Sequence, residues 1–136
     1  MLAALLRRRR ARSTMDRTLR IAQLNDEFRA RPYSTPNTRI IFSAGVMALT
    51  KAAGGQSKLS AALFTQSQLL LLVRDAVPDN VCLTTSERNA GKVTLLGEHV
   101  LFSIDYVGLD LYSAAADPSD PSTTIRIMTL RLESEE

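Results

Sequence analysis

The chain has 136 residues, of which 45% are hydrophobic and 23% charged, a balance typical of one globular domain and not of a disordered chain. Its formal charge of +3 is unevenly distributed, since seven of the 17 basic residues but one of the 14 acidic residues lie in the first twenty positions. The rest carries ten basic and thirteen acidic residues, which disfavours a basic nucleic-acid-binding core. A single cysteine and a single histidine exclude an intramolecular disulfide, a Cys-based zinc site and a multi-histidine metal site.

The first sixteen residues form a leader in which apolar residues precede a basic run. The basic residues are Arg7, Arg8, Arg9, Arg10 and Arg12. A secretory signal has the opposite order, with positive charge before the apolar stretch, and is therefore excluded. Three interpretations remain open: a disordered basic arm that touches nucleic acid or anionic surfaces, an Arg-rich targeting peptide, or a gene start placed too early, with Met15 as the true first residue. We favour the last, and predict a leader over residues 1–16 and a single domain over residues 17–136.

The predicted elements begin with helices and end with strands. Ser13 or Thr14 can cap a first helix, whose apolar face is built by Ile21, Leu24 and Phe28 and which Pro32 ends near residue 30. A strand, a short helix and a long amphipathic helix opened by Ser57 or Ser60 follow, over residues 39–43 and 46–53 and with a periodic pattern over residues 59–77. Four strands are then predicted over residues 81–84, 92–96, 99–107 and 123–133.

The late strands carry the signals that define the fold class. Gly97-Glu98 has the format of a two-residue hairpin turn of type II′, and in the next strand Val100, Phe102, Ile104 and Tyr106 share one face. The last strand is apolar on both faces, which predicts either a bulge or a central position covered on both sides. Together these patterns predict an α+β domain with two main helices packed on one face of a mostly antiparallel sheet of about 4–5 strands.

Few residues of the chain suggest chemistry. His99 is predicted to be a surface residue beside a turn, and Cys82 a small buried hydrophobe. Four aspartates within sixteen residues offer oxygen ligands, although the spacing of a calcium-binding loop is absent. They are Asp105, Asp110, Asp117 and Asp120. We therefore predict no metal site and no cofactor.

Three motifs in the second half of the chain resemble a small bacterial family of unknown function. Residues 104–106 match the I-D-Y of the family pattern K-I-D-Y-Y-D, in which Ser103 and Val107-Gly108 depart from the pattern. The patterns D-P-A-D-P and T-x-R-V-L-T-I-M-L-A correspond to residues 117–121 and 124–132. Nearer the start, residues 21–29 resemble I-x-x-L-N-D-x-F-R and residues 39–45 resemble R-V-V-x-T-x-G. The family's G-E-H-D-F-G motif falls on residues 86–91, where Arg88 stands in place of the histidine. Since relatives are carried on plasmids and integrated elements, the resemblance implies an accessory or anti-defence role, but no reaction.

We predict a cytoplasmic, non-catalytic domain that binds another protein, with a homo-oligomer as a further form and no membrane partner. Its binding residues are expected to form one polar patch of Asp105, Tyr106, Asp117, Asp120 and Arg126. In this patch Arg126 would hold the Asp-Pro loop of residues 117–121 by a charge-assisted hydrogen bond, and a purely structural role for the set is equally compatible with the sequence. Two alternatives remain: nucleic-acid binding through the basic arm, and a metal-dependent hydrolase that uses the aspartates around residues 105–120.

Overall fold

The computed structural model describes residues 2–52, 58–77 and 86–135. Four strands form one sheet in the order β1-β4-β3-β2, in which β2–β3 and β3–β4 are antiparallel and β1–β4 is parallel. This arrangement confirms the predicted α+β class. The elements are α1 (Leu2–Ala30), β1 (Thr38–Phe42), α2 (Ala44–Ala52), α3 (Lys58–Asp75), β2 (Ala90–Leu95), β3 (Glu98–Gly108), β4 (Thr124–Leu132) and a closing 3-10 turn (Glu133–Glu135).

The hydrophobic core lies between the helices and one face of the sheet. Phe28 from α1 and Leu69 from α3 join Phe102 and Met128 from the central strands in one fully buried cluster. Each such side chain contributes roughly 1.5–3 kcal/mol by leaving water, so this cluster is the main source of stability. The alternation predicted for β3 is confirmed, because Val100, Phe102 and Ile104 are buried.

The last strand, β4, is central and pairs on both sides without a bulge. Its register runs continuously against β3 from Thr124 to Leu132, while β1 pairs with its other edge. Ile125 is also buried, on the face opposite Met128. The register shows no bulge, so burial of Ile125 on one face and of Met128 on the other accounts for the apolar residues on both faces of this strand.

The hairpin between β2 and β3 corrects the predicted turn. Leu95 pairs with Glu98, so the two turn residues are Leu96 and Gly97, with φ of 53° and 79°. Positive φ at both positions is the type I′ pattern. The type II′ turn at Gly97-Glu98 is wrong because Glu98 already belongs to the ladder, which leaves glycine in the second turn position.

The first helix also differs from the prediction, because it begins at Leu2 and runs through Ser13 and Thr14. Residues 2–8 are exposed, and the buried face begins at Ile21. The cap at Ser13 or Thr14 is therefore wrong, whereas the predicted end near Ala30 is confirmed. The division between leader and domain at residue 16 stays a prediction.

Two of the predicted features lie in residues that the structure does not describe. The strand over residues 81–84, with Cys82, and the break at residues 54–55 lie outside the described residues. Within the described ranges, no helix has the length and apolar character needed to cross a membrane.

Candidate functional site

A buried polar cluster joins α1 to the two central strands. Asn25 is fully buried because it lies on the same side of α1 as Ile21 and Phe28. Its amide nitrogen donates to the Tyr106 hydroxyl at 2.7 Å and to the Glu87 carbonyl at 3.0 Å, while its oxygen accepts from Arg126 Nε at 3.0 Å. One amide side chain therefore ties together α1, the segment before β2, β3 and β4.

Arg126 extends this cluster to the Asp-Pro loop. Its Nη2 donates to the Pro118 carbonyl, and its guanidinium lies 5.2 Å from the centre of the Tyr106 ring. Next to it on β4, the buried Thr124 hydroxyl donates to the Asp117 carbonyl at 2.9 Å. The cluster thus holds the backbone of the loop through hydrogen bonds. The bond from the Arg126 guanidinium is charge-assisted and therefore stronger than a bond between neutral groups.

The electrostatics of the cluster favour a structural role for its tyrosine. Burial raises the pKa of Tyr106 far above its ordinary value, and the nearby Glu87 carboxylate adds to this effect, although the bond from Asn25 opposes it. The phenol therefore stays protonated across the physiological range. Burial also lowers the pKa of Arg126. A phenol that stays protonated lacks the poised pKa that general acid–base catalysis requires.

The loop aspartates organise their own turns. The Asp117 carboxylate accepts from the Ser119 hydroxyl and amide at 2.6 and 3.1 Å, and pairs with Arg17 on α1 at 3.1 Å. Asp120 accepts in the same way from Ser122. The hydrogen bonds from Ser119 and Ser122 hold the pKa of both carboxyl groups below the usual range.

The structure brings together part of the predicted patch. Tyr106, Arg126 and the backbone of the Asp-Pro loop meet, but the contact goes to the Pro118 carbonyl, where a carboxylate was predicted. Asp105 is exposed and lies on the face of β3 opposite Tyr106. Whether this set binds a partner stays a prediction.

The residues of the alternative hypotheses lie elsewhere. Arg7 and Arg8 are exposed on α1, and the side chains of Arg9, Arg10 and Arg12 fall outside the described residues. His99 is exposed, with Nδ1 3.2 Å from the Thr94 hydroxyl across the hairpin, as predicted for a surface residue. In the part of the chain that the structure describes, no group of three His, Cys, Asp or Glu side chains is placed to hold a metal.

Sequence reasoning missed an ion-pair network beside the cluster. Arg88, which stands where the resembling family has histidine, binds Asp26 through Nε at 3.0 Å and Nη2 at 2.5 Å. Arg29 of α1 is also buried, and it donates to the Val73 and Ala76 carbonyls at the end of α3. Burial would raise the pKa of Asp26, but the bonds from Arg88 and Arg29 outweigh it and lower this pKa.

A second missed contact closes the far end of the sheet. Glu135 accepts from the Ser43 hydroxyl at 2.6 Å, the Leu132 amide at 2.7 Å and the Gly45 amide at 3.1 Å. A Cβ at Gly45 would lie 2.5 Å from the Glu135 carboxyl carbon. A side chain at position 45 would therefore have to displace the end of the Glu135 side chain, which holds the bonds to Ser43 and Leu132.

A groove of about 710 Å³ lies where α1, the turn after it and the Asp-Pro loop meet. One wall is a stripe of α1 at helical spacing, namely Arg20, Leu24, Glu27 and Arg31. The opposite wall joins the turn of residues 34–37 to Pro121 and Ser122, with Asn37 donating to the Pro121 carbonyl at 3.1 Å. The Asn37 carbonyl accepts from the Arg126 amide at 3.0 Å, so the wall is anchored to the same strand as the polar cluster.

Most of the described sheet lies in a segment of the chain that matches a known protein family. Residues 43–135 match the family described as Protein of unknown function (DUF3768). The chain belongs to this family. No curated protein and no solved structure matches the chain significantly. The DUF3768 match contains Tyr106, Arg126 and the Asp-Pro loop, but not the α1 side of the groove.

Proposed function

We propose that this DUF3768 protein is a non-catalytic domain that binds a segment of another protein in the groove beside α1. The observation that carries the proposal is the groove itself, whose far wall is held by the buried Arg126. Preorganised concave surfaces of this size are the usual places for ligand binding, and a wall that is already ordered lowers the entropic cost of association.

The polar groups nearest the groove support binding and not catalysis. The Tyr106 hydroxyl is protonated and already bonded to Asn25, and the carboxylates of Asp117 and Asp120 are bonded to neighbouring serines. Asp105 lies on the other face of β3. A hydrolase built on these aspartates has therefore no supporting observation in the described residues.

The lining of the groove indicates the chemistry of its occupant. Arg20 and Arg31 flank Glu27 on the α1 wall, and the buried Leu24 lies between Arg20 and Glu27. Two guanidinium groups against one carboxylate favour a segment with acidic residues, and Leu24 and the two prolines of the far wall favour an apolar side chain beside them. We further propose that this partner is a host defence protein, inhibited by occupancy of its surface, and the resemblance to a family carried on plasmids supports this part of the proposal.

Affinity capture with matched charge-reversal variants tests the groove. The immobilised full chain is compared with Arg20→Glu/Arg31→Glu and with Arg39→Glu/Lys92→Glu, a control with two exposed basic residues outside the groove. We expect a protein that is retained by the wild type and the control and reduced at least about tenfold by the groove variant, since rim charges set recognition. Equal capture by all three, or loss by both variants, contradicts the proposal.

Nucleic-acid binding through the basic arm is a second candidate, because α1 continues as a helix through the leader with Arg7 and Arg8 exposed. It predicts that fluorescence anisotropy with a DNA duplex gives an affinity that falls steeply with salt. A chain that begins at Met15 would lose this affinity. Equal binding by the two chains eliminates this candidate.

A further inference from the structure

A second groove, the α3 groove, lies between the end of α1 and the second half of α3 and has a volume of about 250 Å³. Most of its lining is apolar or aromatic, from Ala30, Pro32, Tyr33, Leu70 and Leu71. Its volume is at the small end for ligand sites, so it fits a small molecule with an apolar body. It shares no lining residue with the groove beside α1, and the inference is therefore independent of the proposed function.

The buried Arg29 also lines the α3 groove, although its side chain is only 7% exposed. Its Nη1 donates to the Val73 and Ala76 carbonyls at 3.1 and 3.3 Å, and its Nη2 donates to Asp26 at 3.0 Å. Its Nε has no hydrogen-bond partner among the described residues. Because a buried donor without an acceptor destabilises the fold, a ligand in the groove that supplies an acceptor oxygen gains a strong bond there.

The charge around Arg29 is not balanced. Asp26 accepts from Arg29 at 3.0 Å and from Arg88 Nη2 at 2.5 Å, so two guanidinium groups share one carboxylate. Arg74, which also lines the groove, is exposed and pairs with its own neighbour Asp75 at 3.0 Å. The excess positive charge therefore lies at the buried Arg29 and Arg88, where an opposite charge is attracted more strongly than in open water.

We propose that the α3 groove binds a small monocarboxylate with an apolar body. The carboxylate balances the excess charge and accepts from Arg29 Nε, while the body packs on Leu70, Leu71 and Tyr33. Nε is covered in the structure, so side chains of the groove move slightly on binding, as side chains at binding sites commonly do. A hydrogen bond to an ionised group is roughly twice as strong as a neutral one, so the site prefers the carboxylate to a neutral molecule of the same shape.

Three probes of nearly the same shape test this preference, namely phenylpropionate, phenylpropionamide and phenylpropylamine. Binding is followed by ¹H–¹⁵N NMR titration of the full chain. We expect phenylpropionate to bind with a dissociation constant of about 1 mM or tighter, at least about tenfold tighter than the amide, and to shift the Arg29 Nε–H signal. Binding of the amide or the amine as tightly as the carboxylate, or no saturable binding of the carboxylate, overturns the proposal.

Two tryptophan variants on α3 test the location of the site. Ser67→Trp fills the groove from an exposed position, whereas Gln68→Trp adds the same side chain at the next, equally exposed residue outside the lining. We expect the dissociation constant of phenylpropionate to rise at least about tenfold in the first variant and to stay unchanged in the second. Loss of binding in both variants, or in neither, overturns the assigned site.

A charge variant tests the role of Arg29 itself. Arg29→Gln removes the cation and Nε–H, so the probes are expected to bind without preference for the carboxylate over the amide. Circular dichroism establishes whether this variant is folded. Retention of the full preference in the folded variant overturns the role of Arg29, and if the variant does not fold, the probe series and the tryptophan pair decide the proposal.

Discussion

Two turns between β3 and β4 are shaped by the same local hydrogen bond, from a backbone amide to an aspartate carboxylate. They differ in their contacts to the rest of the fold. At residues 109–113, the Asp110 carboxylate accepts from the Tyr112 and Ser113 amides, both at 3.0 Å. At residues 117–121, the Asp117 carboxylate accepts from the Ser119 amide at 3.1 Å. In both places a short acidic side chain replaces a backbone acceptor, which is why aspartate is common in turns.

The difference lies in the contacts to the rest of the fold. The Asp-Pro loop is tied to buried groups of β4 through the Pro118 and Asp117 carbonyls. The 109–113 turn closes on itself through Gly108 and Ser113, and it exposes Leu111 with a positive φ of 66° and Tyr112. Local bonds thus determine the shape of a turn, whereas a buried cation determines where the turn lies. The groove beside α1 is walled by a turn of the second kind, through Pro121 and the adjoining Ser122.

Removal of the buried cation should have the largest effect on this comparison. Arg126→Met removes the bonds to Asn25 and to the Pro118 carbonyl and leaves the Asn25 oxygen buried without its donor. We expect a loss of about 3 kcal/mol in the free energy of unfolding, measured by urea denaturation.

The matched control is Arg39→Met, an exposed arginine on β1, for which we expect a change within about 0.5 kcal/mol. Similar stability losses for the two variants would mean that Arg126 does not anchor the Asp-Pro loop.

Removing the hydroxyl of one tyrosine in each region compares the two regions with a smaller expected loss of stability. Tyr106→Phe removes the hydroxyl that accepts from Asn25 at 2.7 Å and should cost about 1 kcal/mol of unfolding free energy. Tyr112→Phe, on the exposed turn, should cost nothing measurable. A larger loss for Tyr112→Phe would show that the 109–113 turn is held by contacts outside those described above.

The sequence predicts the periodic parts of this molecule better than its tertiary anchors. The alternation along β3 and the apolar stripe of α1 are set by local spacing, and both predictions are confirmed. Asn25 and Arg29 were not recognised as anchors, because a polar residue on a buried face has meaning only when its partners are known, and these come from residues as distant as Arg126. The contact between Arg126 and the Pro118 carbonyl was not predicted for a related reason. Every residue has a backbone carbonyl, so the sequence does not indicate which one accepts the bond.

Hydrogen exchange separates the shape of each turn from its position. Asp110→Ala should speed exchange of the Tyr112 and Ser113 amides at least about tenfold, because they lose their acceptor. Asp120→Ala should do the same for the Ser122 amide alone, while the bonds of Arg126 and Thr124 keep the Asp-Pro loop in place. Faster exchange throughout β4 in Asp120→Ala would mean that the carboxylate, and not the buried cation, positions this loop.

The smallest expected effect is on the pKa values of Asp110 and Asp117, of which only Asp117 is paired with an arginine. Hydrogen bonds from their own turns hold the pKa of Asp110 and of Asp117 below the ordinary 3.8, and the Arg17 guanidinium lowers only that of Asp117 further. Because each folded pKa is depressed, the stabilisation from these carboxylates is complete above pH 3.8 and is lost as the pH falls through the folded pKa. Arg17→Gln should therefore raise the pKa of Asp117 toward 3.8 and leave Asp110 unchanged, as followed by carboxyl ¹³C shifts across an acid titration. Equal shifts at both sites, or none at Asp117, would show that the Arg17 contact is too well screened by solvent to link α1 to the loop.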